Sequence, residues 1–297
     1  MASVIVGIDH GFNYIKTAHR NFLAGVTMTE YEPPLNTRVL EYKEKWYTIG
    51  ATRLPFQPNK TLNDNYYILT LAALSEELRT RKLNNATVCI AAGLPLKRLG
   101  TEKQAFIKYL QKHKEVTWKY EGESFHAKIV DVAVFPQGYA AVLPQISKFP
   151  STFLLADLGG GTLNLTLIND QIPNMDKTWT LNLGCINCIE MVQEELQTRF
   201  GQAIEEDQIR NYMMGKSPML PTKYKEVIEK GLSSYAQSTV AKITELGFNR
   251  ETLPIVWCGG GAIFMEFWGG LRDMNLYIED TCATAKGYEL MYDLLKK

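Results

Sequence analysis

The chain has 297 residues, of which 45% are hydrophobic, and its 32 lysines and arginines balance its 32 aspartates and glutamates. This length exceeds what one compact core usually holds, so two domains are expected, and the hydrophobic content excludes a disordered protein. The balanced charge gives no field that would attract DNA or anionic lipid, so any role on DNA would run through a partner protein.

The first half of the chain predicts a mixed α/β unit. Residues 4–18 (VIVGIDHGFNYIKTA) predict an apolar strand, a turn at residues 9–11 and a second strand. A β-rich stretch follows to about residue 53, with a hairpin turn near residues 43–45. The rest of this half predicts a helix at 65–83, a buried strand (ATVCIAAGLPL), a helix at 101–113, a strand (FHAKIVDVAVF) and a helix that begins at or just after Pro136.

The second half repeats this plan. Residues 153–168 (FLLADLGGGTLNLTLI) again predict a strand, a glycine turn and a strand. A further strand is predicted before Gly259, and helices are predicted at residues 186–200, 206–213, 223–246 and 284–295. The aspartates at the two turns, Asp9 and Asp157, lie about half the chain apart. We therefore predict an internal duplication with a cleft between the copies, and domains at residues 1–150 and 151–297.

The glycines after Asp157 do not fit two common phosphate-binding motifs. A dinucleotide-binding turn leads into a helix, whereas Gly161 is followed by TLNLTLI, which alternates like a strand. A P-loop needs a glycine five residues before the glycine of its GK[ST] ending, where RNYMMGKS has Arg210. What remains is a β-hairpin whose glycine turn, with positive φ angles and no Cβ, exposes backbone N–H groups to phosphate oxygens.

Two such hairpins predict a nucleotide-phosphate site. Asp9 and Asp157 are hard oxygen ligands suited to hydrated Mg²⁺, and Lys16 can neutralise phosphate charge. The alternative is that both turns are ordinary glycine-rich hairpins with a purely structural role. The pair of turns and the third glycine cluster, at residues 259–261, favour phosphate binding.

These motifs resemble those of the actin-like ATPases, whose superfamily also contains heat-shock chaperones and sugar kinases. GIDHGFNYIK resembles the first phosphate motif, LLADLGGGTLNL the second and IVWCGGGAIF the adenosine motif, while FPQGYAAV and TCATAKGYEL resemble the connecting helices of the hinge. Within the superfamily, EYKEKWYTIG, CIAAGLPL and VFPQGYAA are most similar to bacterial plasmid-segregation filament proteins of the ParM or StbA type.

This resemblance covers nearly the whole chain and implies an actin-like α/β fold. Two duplicated ribonuclease-H-like domains would flank a nucleotide cleft. The first would carry a small β-rich insertion at about residues 21–65, and a C-terminal helix at residues 284–295 would return to it.

The resemblance also implies roles for individual residues. Asp9, Gln137 and Asp157 would be catalytic: Asp9 and Asp157 would hold Mg²⁺ through water, Gln137 would position the attacking water, and Asp157 would orient that water or help take its proton. Many ParM-type proteins have a glutamate near Gln137, and a glutamine can orient water but cannot act as a base. The ATP or GTP would be bound by Asp9, Gly11, Phe12, Asn13, Lys16, Asp157, Gly159, Gly160, Gly161, Thr162, Lys216, Gly259, Gly260 and Gly261. Thr162 is equally well explained as a strand residue whose hydroxyl caps the turn.

These features together predict an ATPase that polymerises into dynamic filaments and segregates plasmid DNA. Its partners would be further copies of itself and a DNA-binding adaptor at a plasmid centromere, with no direct contact with nucleic acid or membrane. A small-molecule kinase of the same fold is the alternative, although no insertion specifies an acceptor. A chaperone would need a peptide-binding domain after Lys297, and the three catalytic residues argue against a non-hydrolysing scaffold.

Other features of the sequence concern packing and location. Cys185 and Cys188 form a C-x-x-C without a second ligand pair nearby, so structural burial is predicted rather than a zinc site. His10 either contacts phosphate or fills a variable position, and the aromatic residues 264–271 form either core or a filament contact. The odd cysteine count, the lack of a signal peptide and the lack of a membrane-length apolar run predict a cytoplasmic protein.

Overall fold

The computed structural model describes residues 3–34, 38–55, 57, 59–202, 204–271 and 273–297. The chain forms two compact units, Met1–Pro144 with Cys282–Lys297, and Gln145–Thr281. Residues 35–37, which fall inside the predicted β-rich stretch, lie outside the described residues. Each unit is built on a mixed β-sheet.

The first unit has a nine-stranded sheet within the described ranges. Its strands are β1 (Val4–His10), β2 (Tyr14–Lys16), β3 (Asn21–Leu23), β4 (Val26–Thr29), β5 (Val39–Tyr42), β6 (Lys45–Ile49), β7 (Asn85–Leu94), β8 (Glu115–Tyr120) and β9 (Glu123–Pro136). They lie side by side in the order β3-β2-β1-β7-β9-β8-β5-β6-β4. Strand β1 is parallel to β7, and β7 is parallel to β9, whereas β2 is antiparallel to β1.

The second unit has a five-stranded sheet in the part of the chain that is described. Its strands are β10 (Phe153–Leu158), β11 (Leu163–Asn169), β12 (Ile172–Leu181), β13 (Ile255–Cys258) and β14 (Asn275–Tyr277). They lie in the order β12-β11-β10-β13-β14, with two antiparallel pairs followed by two parallel pairs. The strands β3-β2-β1-β7-β9 of the first unit have the same sequence of pairings. The same five-stranded plan therefore occurs twice, in keeping with the predicted duplication.

Helices cover these sheets. They are α1 (Asn65–Thr80), α2 (Leu96–Leu110), α3 (Tyr139–Val142), α4 (Cys185–Phe200), α5 (Glu206–Met213), α6 (Thr222–Glu245), α7 (Ala262–Trp268) and α8 (Ala283–Lys296), and a 3-10 turn (Leu143–Lys148) continues α3. None of the helices within the described ranges combines the length and the apolar character needed to cross a bilayer.

Three predicted elements differ from the structure. The helix predicted at residues 101–113 begins at Leu96, because Pro95 starts it, and the helix-weakening Gly100 lies inside it. Pro136 ends β9 rather than opening a helix, and α3 follows only after Gly138, which has a φ of 77°. Residues 264–271, where the sequence predicts no helix, lie mostly in α7.

The aromatic segment around α7 belongs mainly to the core of the second unit. Phe264 and Met265 are fully buried, and Trp268 packs against the same core. Of the two predicted alternatives, core or filament contact, these three residues therefore belong to the core. Phe267 differs, since 58% of its surface is exposed.

In the first unit, α8 packs closely against α3. A Cβ at Gly287 would overlap the carbonyl oxygen of Ala140, so only glycine allows the two backbones to approach this closely. Tyr288, the next residue of α8, is fully buried against Ala91 and Phe135 on the sheet. The last helix is thereby fixed to the first unit.

Candidate functional site

The first predicted turn joins β1 to β2 and brings an acidic and a basic side chain, Asp9 and Lys16, together. Antiparallel pairing sets Asp9 directly opposite Lys16, and Lys16 Nζ lies 3.4 Å from Asp9 Oδ2. Asp9 is only 3% exposed. Gly11 is needed for a close approach: a Cβ there would lie 2.5 Å from the carbonyl oxygen of Tyr14. The turn is therefore compact, with a buried carboxylate at the end of β1.

Neighbouring residues hold this turn in place. Asn13 is buried, and its carbonyl accepts a hydrogen bond of 2.9 Å from the N–H of Ala24. The guanidinium of Arg53 lies 5.9 Å from the centre of the Phe12 ring, a cation–π contact. Both predicted site residues thus help to fix the loop against the β-rich part of the unit.

Gln137 lies at the same edge of the sheet as Asp9. Its N–H donates to the carbonyl of Leu94 at the end of β7, over 2.9 Å. Because β1, β7 and β9 are parallel, their carboxyl ends meet at one edge, which is where α/β sheets bind ligands. Gln137 follows β9 and is half-buried.

His10, by contrast, points into the core. It is fully buried, and its Nε2 lies 2.9 Å from the hydroxyl oxygen of Thr70. Because that hydroxyl donates its own proton to the carbonyl of Tyr66, the His10 Nε2–H is the donor to it. Burial, with a smaller effect from the charge of Lys60, lowers the pKa of His10 to about 3. His10 is a neutral core residue that supports the strand carrying Asp9.

The second predicted turn joins β10 to β11. Asp157 is 4% exposed near the end of β10, as Asp9 is near the end of β1. The N–H of Gly159 donates to the carbonyl of Thr162 over 2.9 Å and closes the turn. The carbonyls of Gly159 and Gly160 accept the first N–H groups of α4, from Cys185 (3.1 Å) and from the residue after it (2.9 Å).

The expected positive φ angles at residues 159–161 are wrong. None of these glycines is among the residues with positive φ, since α4 holds their carbonyls on one side of the turn. No hydrogen bond among the described residues uses the N–H groups of Gly160 and Gly161. These donors are therefore available to an anion.

The third glycine cluster adjoins the second turn. Parallel pairing sets Cys258 at the end of β13 beside Asp157, and Gly259 follows with a φ of 83°. A Cβ at Gly259 would lie 2.6 Å from Asp157 Oδ1. The N–H of Gly261 donates to the carbonyl of Leu158 over 2.9 Å. Glycine is thus required here on two counts, and the two glycine turns form one surface around Asp157.

Thr162 and Lys216 occupy less constrained positions. The hydroxyl of Thr162 lies 3.4 Å from the side-chain amide of Asn164, a contact that suits turn capping. Lys216 is exposed after α5. A Cβ at the preceding Gly215 would lie 2.5 Å from the ring of Phe267, so α7, which follows the glycine cluster, packs against the Lys216 segment.

The C-x-x-C at the start of α4 is structural, as predicted. Cys185 and Cys188 are both buried and carry free thiols, and burial raises the pKa of the Cys188 thiol. Within the described ranges, no group of three or more acidic, histidine or cysteine side chains is arranged to bind a metal ion. This excludes a zinc cluster among those residues.

Two family models match the chain. Residues 7–139 match the N-terminal domain of actin-like proteins, and residues 155–267 match the C-terminal domain of archaeal MreB-like actin homologues. Each match begins shortly before or at one of the turns described above. No curated protein sequence matches the chain significantly.

Solved structures of actin homologues superpose on nearly the whole chain. The archaeal actin homologue Ta0583 has a TM-score of 0.80 and 19% identity, over 98% of this chain and 99% of its own. ParM of Bacillus thuringiensis with ATP has a TM-score of 0.74 and 13% identity, over the full length of both chains. An Alp12 filament structure has a TM-score of 0.72 and 16% identity, again over both full chains. These likenesses establish the fold, and the two family models confirm the resemblance to actin-like proteins.

Proposed function

The chain belongs to the actin-like proteins, and from that premise we propose that it is an ATPase that polymerises into dynamic filaments. The observation that carries the proposal is the repeated strand–turn–strand, with a buried aspartate at the end of β1 and of β10. Each of these two turns would bind phosphate.

The residues at these turns fit a magnesium nucleotide. Mg²⁺ usually keeps several waters and takes only one or two protein carboxylates together with substrate phosphates, a need that Asp9 or Asp157 would meet. Lys16 would bind phosphate oxygens as a point charge, and the N–H groups of Gly160 and Gly161 would donate to them. The bound metal would neutralise charge that develops on the transferred phosphoryl group.

Gln137 would position the water that attacks the terminal phosphate, and Asp157 would orient that water or help take its proton. Gln137 cannot take a proton, so its contribution would be the orientation of that water. Phosphoryl transfer depends chiefly on positioning and electrostatic stabilisation, so a glutamine is sufficient for this task. Lys216 and residues 259–261 would bind the nucleoside end of the nucleotide, and ATP and GTP both suit these contacts.

Filament formation is supported by the relatives. One structure that shares the fold over its full length is a filament of Alp12, and others are ParM proteins. Identical head-to-tail contacts that do not close on themselves build a helical polymer, and hydrolysis would weaken it by shifting the subunit between two conformations. We propose that the filament segregates plasmid DNA. The chain has no net charge that would attract DNA directly, so the plasmid would be bound through a DNA-binding adaptor. Five free thiols suit a reducing cytoplasm.

The decisive variant for this proposal is Gln137→Ala. With Mg-ATP it should lower phosphate release about a hundredfold, because the attacking water is no longer oriented, while ATP affinity stays within twofold of wild type. Gln237→Ala, on the exposed face of α6, is the matched control and should behave like wild type. Phosphate transfer only to an added small acceptor, with no hydrolysis, would instead identify a kinase of this fold.

A further inference from the structure

A lysine that no motif identified lies beside two aromatic rings, Tyr66 and Phe106, whose centres are 6.3 and 5.3 Å from the ring of His10 at the end of β1. Lys60 precedes α1 and is half-buried. Its Nζ is 6.0 Å from the centre of the Tyr66 ring and 5.7 Å from the centre of the Phe106 ring. Two aromatic faces attract and orient an ammonium group at these distances. The two rings therefore restrict the position of the Lys60 side chain.

Among the described residues, the two carboxylates that act on Lys60 are each paired with another cation. Asp9 and Glu102 both act on it electrostatically, but Asp9 is paired with Lys16, and Glu102 is paired with Arg98 at 2.6 Å. No hydrogen bond or ion pair involving Lys60 is found among the described residues. Burial lowers its pKa to about 8, against the opposing effect of Asp9. A half-buried ammonium in this setting is stabilised by any anion that reaches it.

We propose that Lys60 is a second phosphate-binding cation of the first turn, which contacts the phosphates of a nucleotide together with Lys16. The inference rests on the proposed function and extends it. The Asp9–Lys16 pair has no net charge before a ligand arrives, so the turn alone provides little attraction for a polyphosphate. Lys60 supplies the uncompensated positive charge, and the aromatic rings fix its position in advance.

The variant that tests the role is Lys60→Met. Methionine keeps the length of the side chain and its contact with the two rings but removes the charge. We expect the affinity for Mg-ATP, measured by isothermal titration calorimetry, to fall ten- to a hundredfold, as for the loss of a charge-assisted hydrogen bond. Lys60→Arg should keep most of the affinity. Lys97→Met, at an exposed position of α2, is the matched control and should bind like wild type.

Thermal unfolding without nucleotide separates binding from packing. The Tm of the Lys60→Met variant should equal or exceed that of wild type, because a desolvated charge is removed, while the rise in Tm caused by Mg-ATP should shrink. A variant that loses stability but retains wild-type affinity would assign Lys60 to packing and overturn the proposal.

The outcome also distinguishes this inference from the proposed function. If wild-type protein binds no nucleotide, the proposed function itself fails. A second outcome is that wild type binds nucleotide, that Lys16→Met weakens this binding and that Lys60→Met does not. In that case the proposed function stands and the role of Lys60 is refuted.

Discussion

Acid sensitivity at His10 is the most quantitative expectation from this structure. His10 is fully buried, bonded to Thr70, and has a pKa of about 3, against 6.5 for an unperturbed histidine. The folded protein therefore keeps His10 neutral at pH values where the unfolded chain binds a proton. The stability that this residue contributes is complete above pH 6.5 and is lost as the pH falls toward 3.

The size of the effect follows from the pKa difference. Each pH unit below 6.5 favours the unfolded chain by about 1.4 kcal/mol, so lowering the pH from 7 to 5 should cost about 2 kcal/mol from His10 alone. Replacing His10 by Gln keeps a side-chain donor for Thr70 but removes the titrating group. The variant should therefore lose about 2 kcal/mol less than wild type over the same interval.

Urea unfolding at pH 7 and pH 5 measures this difference. All other titrating groups are common to the two proteins, so their contributions cancel when the pH-dependent losses are subtracted. The same subtraction at pH 7 and pH 8 should give a value near zero, since His10 is neutral in both states there. Equal losses for wild type and His10→Gln between pH 7 and pH 5 would show that His10 is not held neutral in the core.

Three further outcomes follow from close contacts and burial. Gly259→Ala should lower the free energy of unfolding in urea by about 1–3 kcal/mol and weaken Mg-ATP binding in titration calorimetry. The added Cβ would meet the Asp157 carboxylate, and the φ of 83° at this residue is unfavourable for alanine. Unchanged values would contradict the tight turn. Gly287→Ala should lower the Tm by several degrees because it forces α8 away from Ala140, and a Tm within one degree of wild type would refute that packing. The thiol of Cys188 should react with a thiol reagent only after unfolding, and rapid reaction in the native protein would contradict its burial.

Much of the framework was accessible from the sequence because it depends on local signals. The turn after Asp9 and the turn after Asp157 could be located because apolar strands, an acid and glycines follow one another in a fixed order. The strand after Gly161 was predictable from its alternating leucines, which a helix would not show. This single feature separated the hairpin from a dinucleotide-binding turn, and the pairing of β10 with β11 confirms it.

Other features depend on contacts that sequence patterns do not record. The start of α2 is hard to predict from the sequence because Gly100 interrupts the helical pattern, although Pro95 is a usable signal. The φ angles of the second turn are set by hydrogen bonds from α4, which begins more than twenty residues later. Lys60 lies in an irregular segment, and only the fold brings it beside Tyr66 and Phe106. The burial of His10 likewise arises from α1 and α2.

The most direct test of the central claim is right-angle light scattering by the purified protein, with phosphate release followed in the same sample. Mg-ATP and Mg-GTP would be compared with Mg-ADP over a range of protein concentrations. For a dynamic filament, scattering should rise with a nucleoside triphosphate above a critical protein concentration and then decay as phosphate appears. A flat trace at every concentration, with phosphate transferred only when a small acceptor is supplied, would contradict it.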